Sequence, residues 1–296
     1  MVTQIQDLDQ FNAYFHQETL HQYVGVGKLE DADLSLFDAT DFGMFCVVLM
    51  DEDFGELFKS GKGMHYKAGT IFSLRPGQVV SVDLDPHVRP KGLMLAFRPE
   101  LLVKAGLGRD FYMFNYFTYD VLEAIELSSD ERKLIIRAFE VLWSELQTPV
   151  DNLTDHMIRL CIGHLLSYVK RFYDRQFVSM NKSQSDLMLR LDSLLDEYLS
   201  SGQPIQKGLP TVSWCAEQFH LSPNYFGDLV KKELQVTPQE YIQEKLINTA
   251  KNMLKDSNLS ISDIAKSLGF SYSNHFTRLF HSKVGLSPTV FRKERT

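Results

Sequence analysis

Between residues 20 and 98, apolar positions come in short runs broken by Gly and Pro. The runs MFCVVLM (44–50), GTIFSLRPGQVVSVDL (69–84) and GLMLAF (92–97) are rich in Val, Leu and Phe. They predict short strands of an antiparallel sandwich or barrel. Arg75-Pro76-Gly77 is the sharpest turn signal among them. After Pro99 the period becomes helical. The aromatic run FYMFNYFTY (111–119) bridges into a helix predicted over 128–147, opened by the capping box Ser128-x-x-Glu131. A longer helix, 152–178, aligns Ile158, Cys161, Leu165, Val169 and Phe172 in one stripe. That stripe is wide enough to pack on the domain core or on a second copy of itself. The polar SMNKSQ suits a linker, so the domains are expected at 1–178 and 185–296, with 179–184 between them.

The C-terminal part contains an internal repeat. VSWCAEQFHL (212–221) aligns with ISDIAKSLGF (261–270), apolar position for apolar position. FGDLVKKELQVTPQEY (226–241) aligns with FTRLFHSKVGLSPTVF (276–291), and the turn is one residue longer in the second copy. Each copy reads as helix, tight turn, helix, then a Thr/Ser-Pro-x-x-aromatic stop. Between the copies, QEYIQEKLINTAKNMLKD predicts one stiff helix with Tyr241, Leu246, Ala250, Met253 and Leu254 buried.

In the second copy Ser260-x-x-Asp263 caps the first helix, Gly269 frees the turn, and Ser271 and Tyr272 are expected to make and cap it. At about 100° per residue, Phe276, Leu279 and Phe280 share one face, while Asn274, Thr277, Arg278 and His281 share the other with Ser273 at its edge. A helix fixed by one face and polar on the other suits a DNA major groove. Asn pairs with adenine, Arg with guanine or phosphate, and the Thr methyl meets thymine. The first copy turns Phe226, Leu229 and Val230 inward and Asn224, Gly227, Asp228 and Lys231 outward, with Lys232 beside them. It is the poorer reader, because Gly227 has no side chain and phosphates repel Asp228. The second copy is therefore expected to discriminate more. The alternative is that Asn224 and Lys231 suffice and Asp228 rejects wrong bases.

Charge supports the same division. The whole chain carries −7, yet from Lys207 to Thr296 there are 12 Lys and Arg against 8 Asp and Glu, leaving 19 against 30 before them. Only the last third has a sign that suits a polyanion. Composition is that of a globular protein, no apolar run is long enough to span a membrane, and the first residues lack signal-peptide order. Cys46, Cys161 and Cys215 follow no metal or redox spacing and read as buried thiols of a reducing cytoplasm.

The run I-x-D-I-A-x-x-L-G-F-x(5)-F-x-R-x-F-x(4)-G-x-S-P-x-x-F-R, Ile261 to Arg292, resembles the signature of AraC/XylS-type transcription regulators. LSPNYFGDLVKK (221–232) is similar to the first helix-turn-helix of that family. The resemblance implies two helix-turn-helix units in successive major grooves of an operator. It puts base readers at Asn224, Gly227 and Asp228, then at Ser273, Asn274, Thr277 and Arg278. Gln235 replaces the usual Gly before the first Thr/Ser-Pro, a departure that bears on that turn, and Leu246 replaces a frequent Arg of the linking helix.

The N-terminal part resembles the cupin-like barrel with a helical pair found in members that sense small molecules and dimerise. The expected fold is thus α+β in two domains, an antiparallel β cupin-like barrel with helices and an all-α DNA-binding domain. The pocket positions implied are Val80, Val82, Leu93 and Leu95, around Ser81. They suit a small apolar effector or a packed barrel without ligand, and not a sugar. The implied partners are double-stranded DNA, a second copy in a homodimer, and RNA polymerase if the protein activates. No cofactor, metal or membrane partner is expected. The rival from another class is a cupin enzyme with a DNA-binding tail, but His65 and His87 stand alone where such enzymes use a His-x-His set. A third alternative is a regulator acting mainly through protein contacts.

Overall fold

The computed structural model describes residues 2–33, 35, 39–59, 62–83, 89–104, 111–179, 181–256 and 259–293. For 54–59, 62–66, 82–83, 102–104, 112, 177–179, 181–188 and 256 it describes the backbone only. The chain divides into two compact units, Met1–Ser179 and Met180–Thr296.

The first unit runs β1 (Thr3–Ile5), α1 (Leu8–Tyr14), β2 (Val24–Lys28), β3 (Thr40–Phe42), β4 (Phe45–Met50), β5 (Phe54–Lys59), β6 (Lys62–Tyr66), β7 (Thr70–Leu74), β8 (Gln78–Asp83), β9 (Gly92–Phe97), α2 (Pro99–Lys104), β10 (Ile125–Glu126), α3 (Ser129–Gln147) and α4 (Thr154–Ser179). Two five-stranded sheets form, in the orders β1-β3-β8-β5-β6 and β10-β7-β4-β9-β2. β1 and β3 pair in parallel; the other described pairs are antiparallel.

Strand alternation sorts the side chains. On β4 and β9, Cys46, Val48, Met50, Met94 and Ala96 join Phe42, Phe72, Leu74, the α1 residues Leu8 and Phe11, and Phe15 just past α1 in one core, against which Val80 packs. The intervening residues face the other way and pair across the strands as Phe45 with Phe97, Val47 with Leu95 and Leu49 with Leu93. Phe45 and Phe97 meet the aromatic run, with Phe117 at 5.1 and 5.9 Å. Tyr116 stacks on Tyr173 of α4 at 5.3 Å and donates its hydroxyl to the Leu166 carbonyl at 3.1 Å.

This alternation divides the positions expected to line the effector pocket between two faces. Val80 packs toward the core between the sheets, whereas Leu93 lines a cavity on the far side of its sheet, beneath α3. Leu95, two residues on, shares the face of Leu93 and is fully buried. The side chain of Val82 lies outside the described residues, as do those of His65 and His87.

Ser128 and Glu131 form the capping box of α3, the Ser128 hydroxyl accepting from the Glu131 N–H at 3.3 Å. On α4 the stripe Ile158, Cys161, Leu165, Val169 and Phe172 is buried within this chain. It is therefore core and not a surface left for a second copy. Burial pushes the Cys46 thiol far up.

The second unit is all helical: α5 (Asn181–Ser200), α6 (Gln203–Lys207), α7 (Val212–Gln218), α8 (Pro223–Leu234), α9 (Pro238–Asp256), α10 (Ile261–Ser267), α11 (Ser273–Val284) and α12 (Pro288–Lys293). The expected linker at 179–184 is instead helical at Ser179 and from Asn181 onward. NKSQSDLMLR contains neither Gly nor Pro, so nothing in it stops a helix. One core joins Leu191 and Leu195 of α5 to Phe226 and Val230 of α8, Leu246 and Ala250 of α9, and Phe276 and Phe280 of α11. α5 is clamped to α9 by Lys245, whose ammonium reaches Asp192 at 2.7 Å and Asp196 at 2.9 Å. The Tyr241 hydroxyl donates to Asp192 at 2.8 Å. No described helix is long and apolar enough to cross a membrane.

Candidate nucleic-acid interface

The repeat in sequence is a repeat in backbone geometry. The Leu221 N–H donates to the Ala216 carbonyl at 3.0 Å, and at the aligned place the Phe270 N–H donates to Ala265 at 3.0 Å. His220 aligns with Gly269, and both have positive φ, 58° and 93°. Gln235 aligns with Gly285, again both positive, at 57° and 80°. The second copy thus uses glycine at both left-handed positions, where the first uses His220 and Gln235. The departure at Gln235 leaves the turn unchanged: its N–H donates to Lys231 at 3.0 Å as that of Gly285 does to His281 at 2.8 Å. Its side-chain amide also closes on the Lys232 carbonyl at 2.8 Å. A non-Gly residue there costs about 1–2 kcal/mol of backbone strain, which that hydrogen bond partly offsets.

Three of the four helices in the two pairs open on a side-chain cap. Thr211 caps α7 through the Trp214 N–H at 3.1 Å, and Ser222 caps α8 through the Tyr225 N–H at 3.2 Å. The Ser260 hydroxyl accepts from the Asp263 N–H at 3.1 Å, closing the capping box of α10. α11 differs. Its cap residue is Tyr272, which makes no side-chain cap hydrogen bond. The expected cap from Ser271 and Tyr272 is thus replaced by a tyrosine that is 67% exposed, its ring edge-on to His275 at 5.6 Å.

On α11, Phe276 and Phe280 are fully buried and Leu279 packs against the same core. Asn274, Arg278 and His281 are exposed, and Ser273 and Thr277 are half-buried. On α8, Phe226, Leu229 and Val230 are fully buried. Asn224 and Lys231 are exposed, and Gly227, Asp228 and Lys232 are half-buried. Each second helix therefore brings its sequence-expected set to one outward face. A Cβ placed on Gly227 would meet nothing within 4 Å, whereas one on Gly269 would lie 2.6 Å from the Gly208 backbone. Tyr272 is the functional candidate that sequence reasoning missed. Its position at the helix start marked it as a cap, and only the fold puts its ring in solvent.

A family model described as a helix-turn-helix domain matches residues 215–294, which covers α8 to α12 and most of α7. A Bacillus subtilis protein named as the uncharacterized HTH-type transcriptional regulator YfiF is 33% identical over 143 residues, 48% of this chain and 42% of that protein. The Escherichia coli activator RhaS (strain E24377A) is 40% identical over 86 residues, 28% of this chain and 31% of its own length. Its C-terminal part is thus similar to the helix-turn-helix domains of AraC-type regulators. The uncharacterized regulator YijO of Escherichia coli K12 adds a match of 29% over 136 residues, 46% of this chain and 45% of that protein. The chain spans less than half the length of these HTH-type relatives.

Proposed function

We propose that the protein is a sequence-specific DNA-binding transcription regulator in which α7–α8 and α10–α11 are two helix-turn-helix units. α8 and α11 enter successive major grooves of double-stranded DNA, and α9 holds them in register. The carrying observation is the duplicated helix pair on one core, each second helix turning an apolar face inward and a polar face outward. Asn274, Thr277 and Arg278 read bases on α11, with Ser273 and His281 at the edges. On α8, Asn224, Asp228 and Lys231 flank the bare surface of Gly227, and Lys232 supplies charge for phosphate.

The N-terminal unit is, in this proposal, a cupin-like module for sensing and dimerisation, with no catalytic role of its own. Support for dimerisation comes from the exposed Leu153, Met157 and Leu160, spaced four and three apart on and beside α4. RNA polymerase is a further partner if the protein activates. Selection of bound fragments from genomic DNA tests the DNA reading. A single recovered motif with half-sites in two successive turns supports it. Binding without a motif, unchanged by Asn274→Ala, would support the protein-contact alternative.

A further inference from the structure

Outside the core between the sheets, the first unit holds a cavity of about 460 Å³ between the β2–β9 edge of one sheet and α3. That volume falls within the roughly 300–1,000 Å³ of small-molecule sites. Val26 and Leu93 form its floor, and Ile136, Phe139 and Trp143 its roof. Leu93, Ile136 and Trp143 are only half-buried, so apolar surface is open to an occupant. Trp143 also walls a second, smaller cavity of about 170 Å³ that reaches Asn12 and Gln17. The indole is therefore a partition between two spaces.

Charge at the larger cavity narrows the occupant. Five ionisable residues line it, of which Asp51 is engaged by the Arg132 guanidinium and Lys91 by Glu52. Glu30, which also feels the Lys91 ammonium, Glu140 and Lys28 complete the set, and the lining as a whole carries an excess of one negative charge. Glu30 is half-buried and accepts one long hydrogen bond, from the Gly92 N–H at 3.3 Å. An indole face beside carboxylates is an environment that attracts a cation with an apolar body.

We infer that this cavity is a binding site for a small organic cation, an aromatic or aliphatic body carrying a single ammonium. The body lies between Leu93 and Trp143, and the ammonium meets Glu30 and Glu140. The site is distinct from the inter-sheet positions around Val80, and it goes beyond the DNA-binding reading. Because α3 forms its roof, occupancy fixes α3 on the sheet.

The test uses the full chain carrying Trp214→Phe, which leaves Trp143 as the sole tryptophan of two. Its emission is titrated with 4-phenylbutylamine, 4-phenylbutyrate and 4-phenylbutanol, with no DNA present. Failure here therefore leaves the DNA reading standing, and failure of DNA binding leaves this site standing. Calorimetry on the unsubstituted chain reads the same series without relying on the Trp214 variant. The amine should give saturable binding at least about tenfold tighter than the acid or the alcohol. Glu140→Gln, at an exposed position, should weaken the amine by about three- to fivefold. Leu93→Phe, which fills the cavity, should remove binding while the protein stays folded. Equal or tighter binding of the acid or alcohol would overturn the inference. So would no saturable binding of the amine, or full amine affinity in Leu93→Phe or Glu140→Gln.

Discussion

Gly227 is the least explained residue of the outward face if only the protein is considered. A Cβ there would occupy open space, yet glycine inside a helix costs about 0.5–1 kcal/mol relative to alanine. Nothing among the described residues asks for it, which points to a close approach from outside by a groove wall. Gly227→Ala should raise stability by about 0.5–1 kcal/mol in urea unfolding and lower specific DNA affinity. A residue kept for folding would show the opposite first result. Gly269 is the converse case: its positive φ and the Gly208 backbone 2.6 Å from any added Cβ both forbid a side chain. Gly269→Ala should destabilise by at least about 2 kcal/mol, measurable as a lowered unfolding midpoint. His220 and Gln235 hold left-handed backbone without glycine's freedom. His220→Gly should therefore stabilise by about 0.5–1 kcal/mol, and Gln235→Gly by less, since it forfeits the bond to Lys232.

At the scale of elements, the clamp between α5 and α9 couples stability to pH. The Lys245 ammonium and the Tyr241 hydroxyl hold the Asp192 carboxyl below its ordinary value of 3.8. A carboxylate with a lowered folded pKa stabilises the fold above that ordinary value, and the benefit is lost as pH falls through the lowered one. The Asp192 side chain is 45% exposed, so solvent screening limits the contribution to under about 1 kcal/mol. Asp192→Asn should lower the unfolding free energy by up to that amount at pH 7, and the gap to the parent protein should narrow as pH falls below the ordinary value of 3.8.

Elements with strong local signals were legible in the sequence. α3 begins after its Ser128 box as expected, and α11 buries Phe276 and Phe280 as its 3.6-residue period requires. The outward faces of α8 and α11 follow from the same period, because burying one set of residues dictates which set faces solvent. What was not legible depended on tertiary choices. The runs Val79–Val82 and Leu93–Phe97 are apolar on both parities, so alternation alone did not say which residues face the core. The sheet takes Met94 and Ala96 inward and gives Leu93 to the cavity. The stripe on α4 likewise admitted two partners, and only its burial within this chain decides between them. Of the stretch 179–184, linker-like by composition, Ser179 and residues 181–184 are helical, since no breaker among them stops a helix.

For the whole molecule, charge and fold divide the labour. The last third carries the cationic balance and the two outward-facing helices, in a chain that is acidic as a whole. DNA affinity should therefore fall steeply with salt, through counterion release from phosphates. The two outward helices should differ in kind. Lys232→Ala, removing a charge assigned to phosphate, should weaken binding to all sequences alike and flatten the salt slope by about one unit. Arg278→Ala, removing a base reader, should cost about 1–3 kcal/mol on the specific site only. The most direct measurement is a fluorescence-anisotropy titration of the full chain against its selected site and a scrambled duplex, across a salt series, for the parent and for Arg278→Ala. The expected result is a large preference for the selected site that Arg278→Ala reduces by about ten- to a hundredfold, with unfolding unchanged. Equal affinity for the two duplexes, or a preference that survives Arg278→Ala intact, would contradict the assignment of α11 as the reading helix.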